Sequence, residues 1–433
     1  MNKGISIIFF LLSFLTFQGQ AQELLTAEKA IQISLDNNYE ILLVRNSLKK
    51  DELSLSPGFA GMLPQINAIA NDNNSIQNLD QTRSDGTINS LNNARNNSLN
   101  YGVALDWTVF DGLKMFARYD QLEELKKLGD SELKNTVLNN ISNVMVTYYD
   151  LVQQKQQLTA LDSTKVISEQ RVELAHNRFT IGKASKLEEL NARVDLNTDQ
   201  TLFLRQKENY INTKTELNLL LARDPKTEFE VTDEISVDDK LFLPELIEKA
   251  KEENPQLLAQ IINKRIAELE LKQVKANRYP TLTATTGYNF SNSESSLGFT
   301  TQSSAYGWNY GFRVSMTIFD GLNQNRNEKI AKIDIANSEL IIEQQKEQLI
   351  AQLNKAYQTY QTNLALMELE QNNEGIAKEN LEITMEKYRI GTIPTIEFRT
   401  AQLNYINAQL RFSDANYQAK LSEISLKALS GSL

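Results

Sequence analysis

The chain has 433 residues, no cysteine, one histidine and a net charge of −10. That excludes disulfides, thiolate metal sites and a lipid-modified cysteine, argues against a zinc site, and offers no clustered basic surface for nucleic acid. Length allows two or three domains, and with 17 glycines against only 7 prolines the chain is biased toward long elements.

The N-terminus reads as an export signal: Lys3 supplies a basic start, and Ile5 to Phe17 is an apolar core too short to span a bilayer. Gly19 and Ala21 give a small-x-small cleavage pattern, so residues 1–21 form the signal and Gln22 the mature start. No later segment has the run of about 20 apolar residues that a membrane helix needs.

Leu24 to about Leu55 carries apolar residues at helical spacing. A hairpin follows over about 64–110, with a polar Asn/Ser-rich loop predicted from Asn71 to Ser98. Its return strand puts Tyr101, Val103, Leu105, Trp107 and Val109 on one face and Asp106 and Thr108 on the other. At Phe110-Asp111-Gly112 the period changes from two to helical. A long helix is predicted over 111–181, about 105 Å at 1.5 Å per residue. The tip "FTIGKAS" and a return helix over 183–222 come next, and Arg223 to Lys240 serves as a linker.

The second half runs through the same order. A helical stretch covers Leu243 to about Asn277, and a hairpin covers about 280–319 with its own polar loop from Ser291 to Ser303. Leu282, Ala284, Thr286, Tyr288 and Phe290 share one face of the first strand. The second strand, Trp308 to Ile318, alternates aromatic or apolar residues with polar ones, including Arg313. Then come Phe319-Asp320-Gly321, a long helix over 320–390, and a return helix over 392–430 in which Leu403, Leu410, Tyr417 and Ile424 recur every seven residues. Positions 110 and 319, and 182 and 391, are each 209 apart, whereas 64 and 280, and 35 and 251, are each 216 apart. The chain is therefore an internal duplication, residues 22–232 and 233–433, with a seven-residue difference in a loop.

Four strands with one apolar face each, feeding helices too long to fold back over them, need lipid rather than a soluble core. Trp308 to Ile318 matches the roughly 9–11 residues of a tilted membrane strand, with aromatics at its ends. Four strands cannot close a barrel and a membrane tolerates no open edge. The chain must oligomerise, and two copies would supply 8 strands and three would supply 12. Asp111 and Asp320 read as helix caps, with Gly112 and Gly321 easing the bend.

On these residues the chain resembles the TolC-like outer-membrane efflux proteins, also called outer membrane factors. The resemblance rests on the duplicated module, the two "FDG" junctions, and the paired tips "FTIGKASKLEELNA" and "YRIGTIPTIEFRTA". It implies an α+β membrane protein and a homotrimer in the outer membrane of a Gram-negative bacterium. Four strands per chain would form a 12-stranded barrel that continues into a long periplasmic α-helical barrel. It also implies a passive conduit for efflux or type I secretion, working with a periplasmic adaptor (membrane fusion protein) and an inner-membrane pump. No cofactor and no enzymatic activity are expected.

Gly182 and Gly391 suit the left-handed ends of the long helices. Ser185 and Glu188 fit a capping box, and Pro394 the first turn of the second return helix. An ordinary helical hairpin accounts for both glycines. The resemblance adds adaptor docking at Gly182, Lys183, Ser185, Gly391 and Thr392. It also adds a pore gate at Glu188, Glu397, Tyr388, Arg389 and Thr400, the two glutamates matching between copies. The arginine usual after the second tip is replaced by Ile393 and an acidic lumen residue by Thr400, so Arg389 or Arg399 is the candidate substitute. His176 reads as an exposed helix residue. The rival reading, an exported coiled-coil spacer or adhesin, leaves the amphipathic strands unexplained.

Overall fold

The computed structural model describes residues 23–296 and 300–433; the expected signal and its cleavage site after Ala21 lie outside the described residues. In chain order these form β1 (Glu23–Leu25), α1 (Ala27–Asn37), α2 (Tyr39–Ser54), β2 (Gln65–Thr82), β3 (Ile88–Phe110), α3 (Lys114–Thr180) and α4 (Lys186–Leu220). There follow β4 (Phe229–Val231), α5 (Leu243–Glu253), α6 (Pro255–Ala276), β5 (Thr281–Ser295), β6 (Gln302–Ser315), α7 (Asn323–Ile390) and α8 (Thr395–Ser430). Two compact units divide the chain. One contains Glu132–Leu258, Gln345–Leu433 and the residues up to Arg45; the other is Asn46–Ser131 with Ala259–Gln344.

In the second unit the strands form one antiparallel sheet in the order β2-β3-β5-β6. Ile66 opposes Leu105, Tyr101 opposes Phe290, and Tyr288 opposes Trp308. With side chains alternating along each strand, Ile66, Ala68 and Ala70 share a face with Tyr101, Val103 and Leu105. Thr286, Tyr288 and Phe290, and then Tyr306, Trp308 and Tyr310, continue that face across the sheet. Its rings pack together: Tyr101 stacks on Phe290 at 4.9 Å, and Tyr288 meets Trp308 edge-on at 5.3 Å. Trp308, Tyr310 and Phe312 are nonetheless 72–86% exposed, so this apolar face has no cover among the described residues.

Two strand expectations are corrected. The stretch Asn71 to Ser98 is mostly paired strand, with the turn confined to Arg83–Thr87, and within the second polar stretch residues 291–295 extend β5 and residues 302–303 extend β6. Asn and Ser on both faces erase the alternation in the sequence, while backbone pairing continues because both faces are polar. Conversely, the strand expected to reach Ile318 stops at Ser315. β5 begins at Thr281, opposite Ser315, so Met316 to Ile318 have no strand partner among the described residues. β3 runs on past Asp106 to Phe110 because β5 pairs with Trp107, Thr108 and Phe110.

The long helices α3 and α7 have 67 and 68 residues, and α4 and α8 have 35 and 36. Among the described residues no helix is long and apolar enough to cross a membrane. The helices start after residue 113 and residue 322, later than expected, because the Asp-Gly-Leu triplets form left-handed turns. The single helical stretch expected in each copy is two helices, broken at Asn38 and at Asn254. Asn38 Oδ1 accepts from the backbone N–H of Glu40 and Ile41 while its amide donates to the Leu220 carbonyl. Asn254 accepts from Leu257 N–H and donates to the Leu429 carbonyl. Each asparagine thus caps one helix and satisfies the end of a return helix.

β1 and β4, which periodicity did not predict, pair in parallel and anchor the core of the first unit. Leu25, Phe229 and Val231 are buried there with Val144, Tyr148, Leu151, Leu217 and Leu221. Burying a large apolar side chain contributes roughly 1.5–3 kcal/mol, and Tyr148 fixes the strand by donating to the Leu25 carbonyl at 2.9 Å. Along α8 the heptad seam holds for Ile424, Tyr417 and Leu410, but Leu403 is 40% exposed.

Candidate functional site

Two places hold the sequence-predicted residues. The first is the pair of helical turns in the first unit. Gly182 and Gly391 have φ of 75° and 84°, where a Cβ would be strained. Lys183 N–H donates to Arg178 O and Gly182 N–H to Phe179 O; Thr392 N–H donates to Lys387 O and Gly391 N–H to Tyr388 O. Both ends are the same Schellman closure.

The helices leaving these turns start differently. Ser185 Oγ accepts from Glu188 N–H, but the Glu188 carboxylate does not complete the capping box. It takes the Tyr388 hydroxyl at 3.3 Å and lies 3.7 Å from Arg178. Pro394 sits one position outside α8, at the cap itself, with no side-chain hydrogen bond to offer.

Tyr388 is the hub of the tip. It is 2% exposed, stacks on Phe398 at 5.0 Å, and carries the Arg178 guanidinium over its ring at 5.2 Å. Leu381, Phe398 and Ala401 are buried with it, and Ile167, Leu174, Met385 and Ile393 close around them. A cavity of about 270 Å³ opens between α3 and α7, lined by Leu174, Met385, Tyr388 and Phe398.

One layer deeper is an ion-pair network. Arg399 of α8 grips Asp199 of α4 with two hydrogen bonds of 2.9 Å each. Ser168 also donates to Asp199, at 2.6 Å, and Gln402 donates to Ser168. Arg171 of α3 pairs with Asp195, one turn before Asp199 on α4. Arg399, Asp199, Arg171 and Gln402 are all buried. Arg399 and Asp199 are paired as fully as desolvated charges require, whereas Arg171 keeps its Nε and Nη1 buried without a hydrogen-bond partner among the described residues.

The tip gathers some predicted residues and separates others. Tyr388 and Glu188 meet, and Gly391 N–H closes on the Tyr388 carbonyl beside Arg178, while Gly182 borders open space. Arg399 is engaged deeper in, whereas Arg389 pairs with Glu386 on its own helix. Glu397 is exposed, and Thr400 bonds back to Ile396 O. Lys183 and Thr392 are exposed, the latter bonded to Lys387 O. Sequence reading missed Arg178, Arg171, Asp195 and Asp199. Two aspartates four apart on a helix are the visible signal, but their partner Arg399 is 200 residues away. His176 is half exposed, 3.3 Å from Glu189. Glu189 is buried among Lys186, Arg193 and His176; Lys186, ahead of His176 and Arg193, holds its carboxyl below the usual range.

The second place is the strand-to-helix junction in the sheet unit. Gly112 and Leu113 have φ of 74° and 68°, and Gly321 and Leu322 have 69° and 66°. Two left-handed residues in a row, one of them a leucine, cost on the order of 1 kcal/mol or more. Each turn is held by its aspartate: Asp111 accepts from Met115 N–H at 3.0 Å and Asp320 from Gln324 N–H at 2.6 Å. Phe319 is 77% exposed while Phe110 is half-buried. Trp107 Nε1 donates to the Met62 carbonyl at 2.9 Å, an amphipathic ring with its polar end satisfied.

This geometry has counterparts. The family model described as outer membrane efflux protein matches residues 30–223 and 246–432. The chain is 21% identical over 384 residues to the outer membrane protein TolC of Vibrio cholerae, covering 86% of this chain and 83% of that one. The fold is similar to the CmeC outer membrane channel of Campylobacter jejuni, with a TM-score of 0.78 and 18% identity over 94% of this chain and 86% of that one. It is also similar to the open state of the MtrE outer membrane channel of Neisseria gonorrhoeae, with a TM-score of 0.72 and 14% identity over 94% and 89%.

Proposed function

The chain belongs to the outer membrane efflux protein family, and from that premise we propose that it is the passive outer-membrane duct of a tripartite efflux or type I secretion system. It assembles as a homotrimer and is gated at its periplasmic helical tips. The observation that carries this reading is the four-stranded sheet whose apolar aromatic face is uncovered among the described residues and whose outer strands β2 and β6 each have one edge unpaired by any of them. Lipid covers such a face, and only closure satisfies such edges in a membrane. Three chains supply twelve strands, within the range of outer-membrane barrels.

The opposite face of the sheet, with Asp106, Asn289, Asn309 and Arg313, then lines the aqueous lumen. The long helices extend the duct into the periplasm. An adaptor docks at Gly182, Lys183, Ser185, Gly391 and Thr392, and an inner-membrane pump supplies the energy. The gate comprises Glu188, Glu397, Tyr388, Arg389 and Thr400. Opening moves the tip helices between discrete packings, and the Tyr388–Phe398–Arg178 contacts hold the closed one.

The test is the mass of the detergent-extracted protein by light scattering. About three times the 49.2 kDa chain, less its signal, is expected. A monomer, or a protein soluble without detergent, would refute the duct and leave the spacer reading.

A further inference from the structure

We infer that β6 of one copy pairs antiparallel with β2 of the next in a register dictated by the chain's own repeat, with Val314 opposite Ala70 and Met316 opposite Ala68. This rests on the assembly proposed above and specifies it residue by residue.

The repeat is in register at the level of hydrogen-bonded pairs. Moving β2 by 216 positions and β3 by 209, the offsets seen at 64/280 and 110/319, turns the first hairpin into the second. Gln65↔Asp106 becomes Thr281↔Ser315, Ile66↔Leu105 becomes Leu282↔Val314, and Ala70↔Tyr101 becomes Thr286↔Tyr310. All three are observed pairs. The two hairpins are therefore interchangeable modules, and the seam between them, β3 against β5, is the chain's own example of how one module abuts the next.

Applying the same offsets to that seam gives the seam between copies. Leu105↔Thr286, Trp107↔Ala284 and Phe110↔Leu282 become Val314↔Ala70, Met316↔Ala68 and Phe319↔Ile66. On the other face Ala104↔Gly287 becomes Arg313↔Asn71. In Val314↔Ala70 and Met316↔Ala68 both residues have the parity of the apolar face, and in Arg313↔Asn71 both have that of the polar face, while Phe319↔Ile66 carries over the β-bulge that lies between Thr108 and Phe110. A slip of one residue would reverse this.

Three features of the structure agree. β6 stops at Ser315, whereas β3 continues through the equivalent of Met316 to Phe319 because β5 is there to pair with it. Gly112 is crowded: a Cβ there would come within 2.4 Å of Ala276 O and 2.9 Å of Tyr279. At Gly321, its repeat, the nearest such atom is 3.9 Å away, and it belongs to Asn323 in the adjoining turn. Beside Gly321 lies a cavity of about 470 Å³ lined by Asn277, Arg278, Met316, Phe319, Leu322 and Asn325. The repeat places Ala60 to Leu63 of the next copy there, as Ala276 to Tyr279 sit against Gly112.

The chain has no cysteine, so paired cysteines report the register directly. Val314→Cys with Ala70→Cys in one full-length chain, extracted in detergent and oxidised, should give multi-chain bands on a denaturing gel that reductant abolishes. Met316→Cys with Ala68→Cys should do the same. Directly opposed strand residues lie about 4.5–5.5 Å apart at Cα, within disulfide range. The offset pair Val314→Cys with Ala68→Cys should stay unlinked, because diagonal neighbours are about 7–8 Å apart. Preferential linking of the offset pair would overturn the register and leave the assembly intact. No linking in an extract that still has multi-chain mass would overturn the β6–β2 seam. No linking in a monomeric extract would overturn the seam and the proposed assembly together.

Discussion

Replacing Arg399 with methionine tests whether the buried ion pairs, rather than apolar packing alone, hold the tip. Asp199 is 2% exposed and takes both of its guanidinium hydrogen bonds from Arg399 at 2.9 Å. Arg399→Met leaves that carboxylate with only the Ser168 hydroxyl. A buried charge deprived of its partner costs about 3–5 kcal/mol, whereas exchanging both partners for apolar residues is close to neutral. At about 1.4 kcal/mol per tenfold change, amide exchange in the first turns of α8 should accelerate by two to nearly four powers of ten. Asp199→Leu alone should also loosen the site, and the Arg399→Met/Asp199→Leu double variant should recover most of the protection. Hydrogen-exchange mass spectrometry on peptides covering residues 393–402 reads this directly. Acceleration of less than tenfold in the single variant, or a double variant no better than the singles, would refute the reasoning.

Truncating Tyr388 to alanine removes a buried ring, a loss of about 3–5 kcal/mol, and should raise the conductance of single channels in planar bilayers; an unchanged conductance would place the gate elsewhere. Gly112→Ala should lower the yield of folded protein, because the added methyl meets Ala276 O. Gly321→Ala pays only the left-handed backbone penalty within one chain, about 1 kcal/mol, and should instead reduce the multi-chain fraction in light scattering. The Glu189 carboxyl is held below its usual range, first by Lys186. It therefore stabilises the tip above the ordinary glutamate range, and that stabilisation fades as pH falls through its lowered value. Exchange protection around residues 186–193 should drop on acidification in the native chain and change less with pH in Glu189→Gln.

The duplication was legible as matching landmarks at constant offsets, and the junctions and both tip glycines as local signals: a change of period, or a glycine in a helix run. The helix breaks at Asn38 and Asn254 were not, since what stops each helix is a carbonyl about 180 residues away, at Leu220 or Leu429. β1 and β4 are three residues each, too short for a period of two to register. The polar ends of the hairpins read as loop because asparagine and serine on both faces hide the pleat. At the tip, Tyr388 was found by resemblance, but Arg178 and the Asp195–Asp199 pair required knowledge of which helices meet. Position alone had made Glu188 and Glu397 equals; the fold ties one to Tyr388 and leaves the other in water.

That inequality bears on how such a ring would give way. The repeat of Tyr388 is Phe179, which lacks a hydroxyl, and the repeat of Glu188 is the exposed Glu397. Around a closed trimer, three fastened joints would alternate with three unfastened ones. A closure of that kind does not dilate evenly. It splits first along the weak joints, each of them lying between neighbouring chains, and a recording should then show a discrete partial current before the full one.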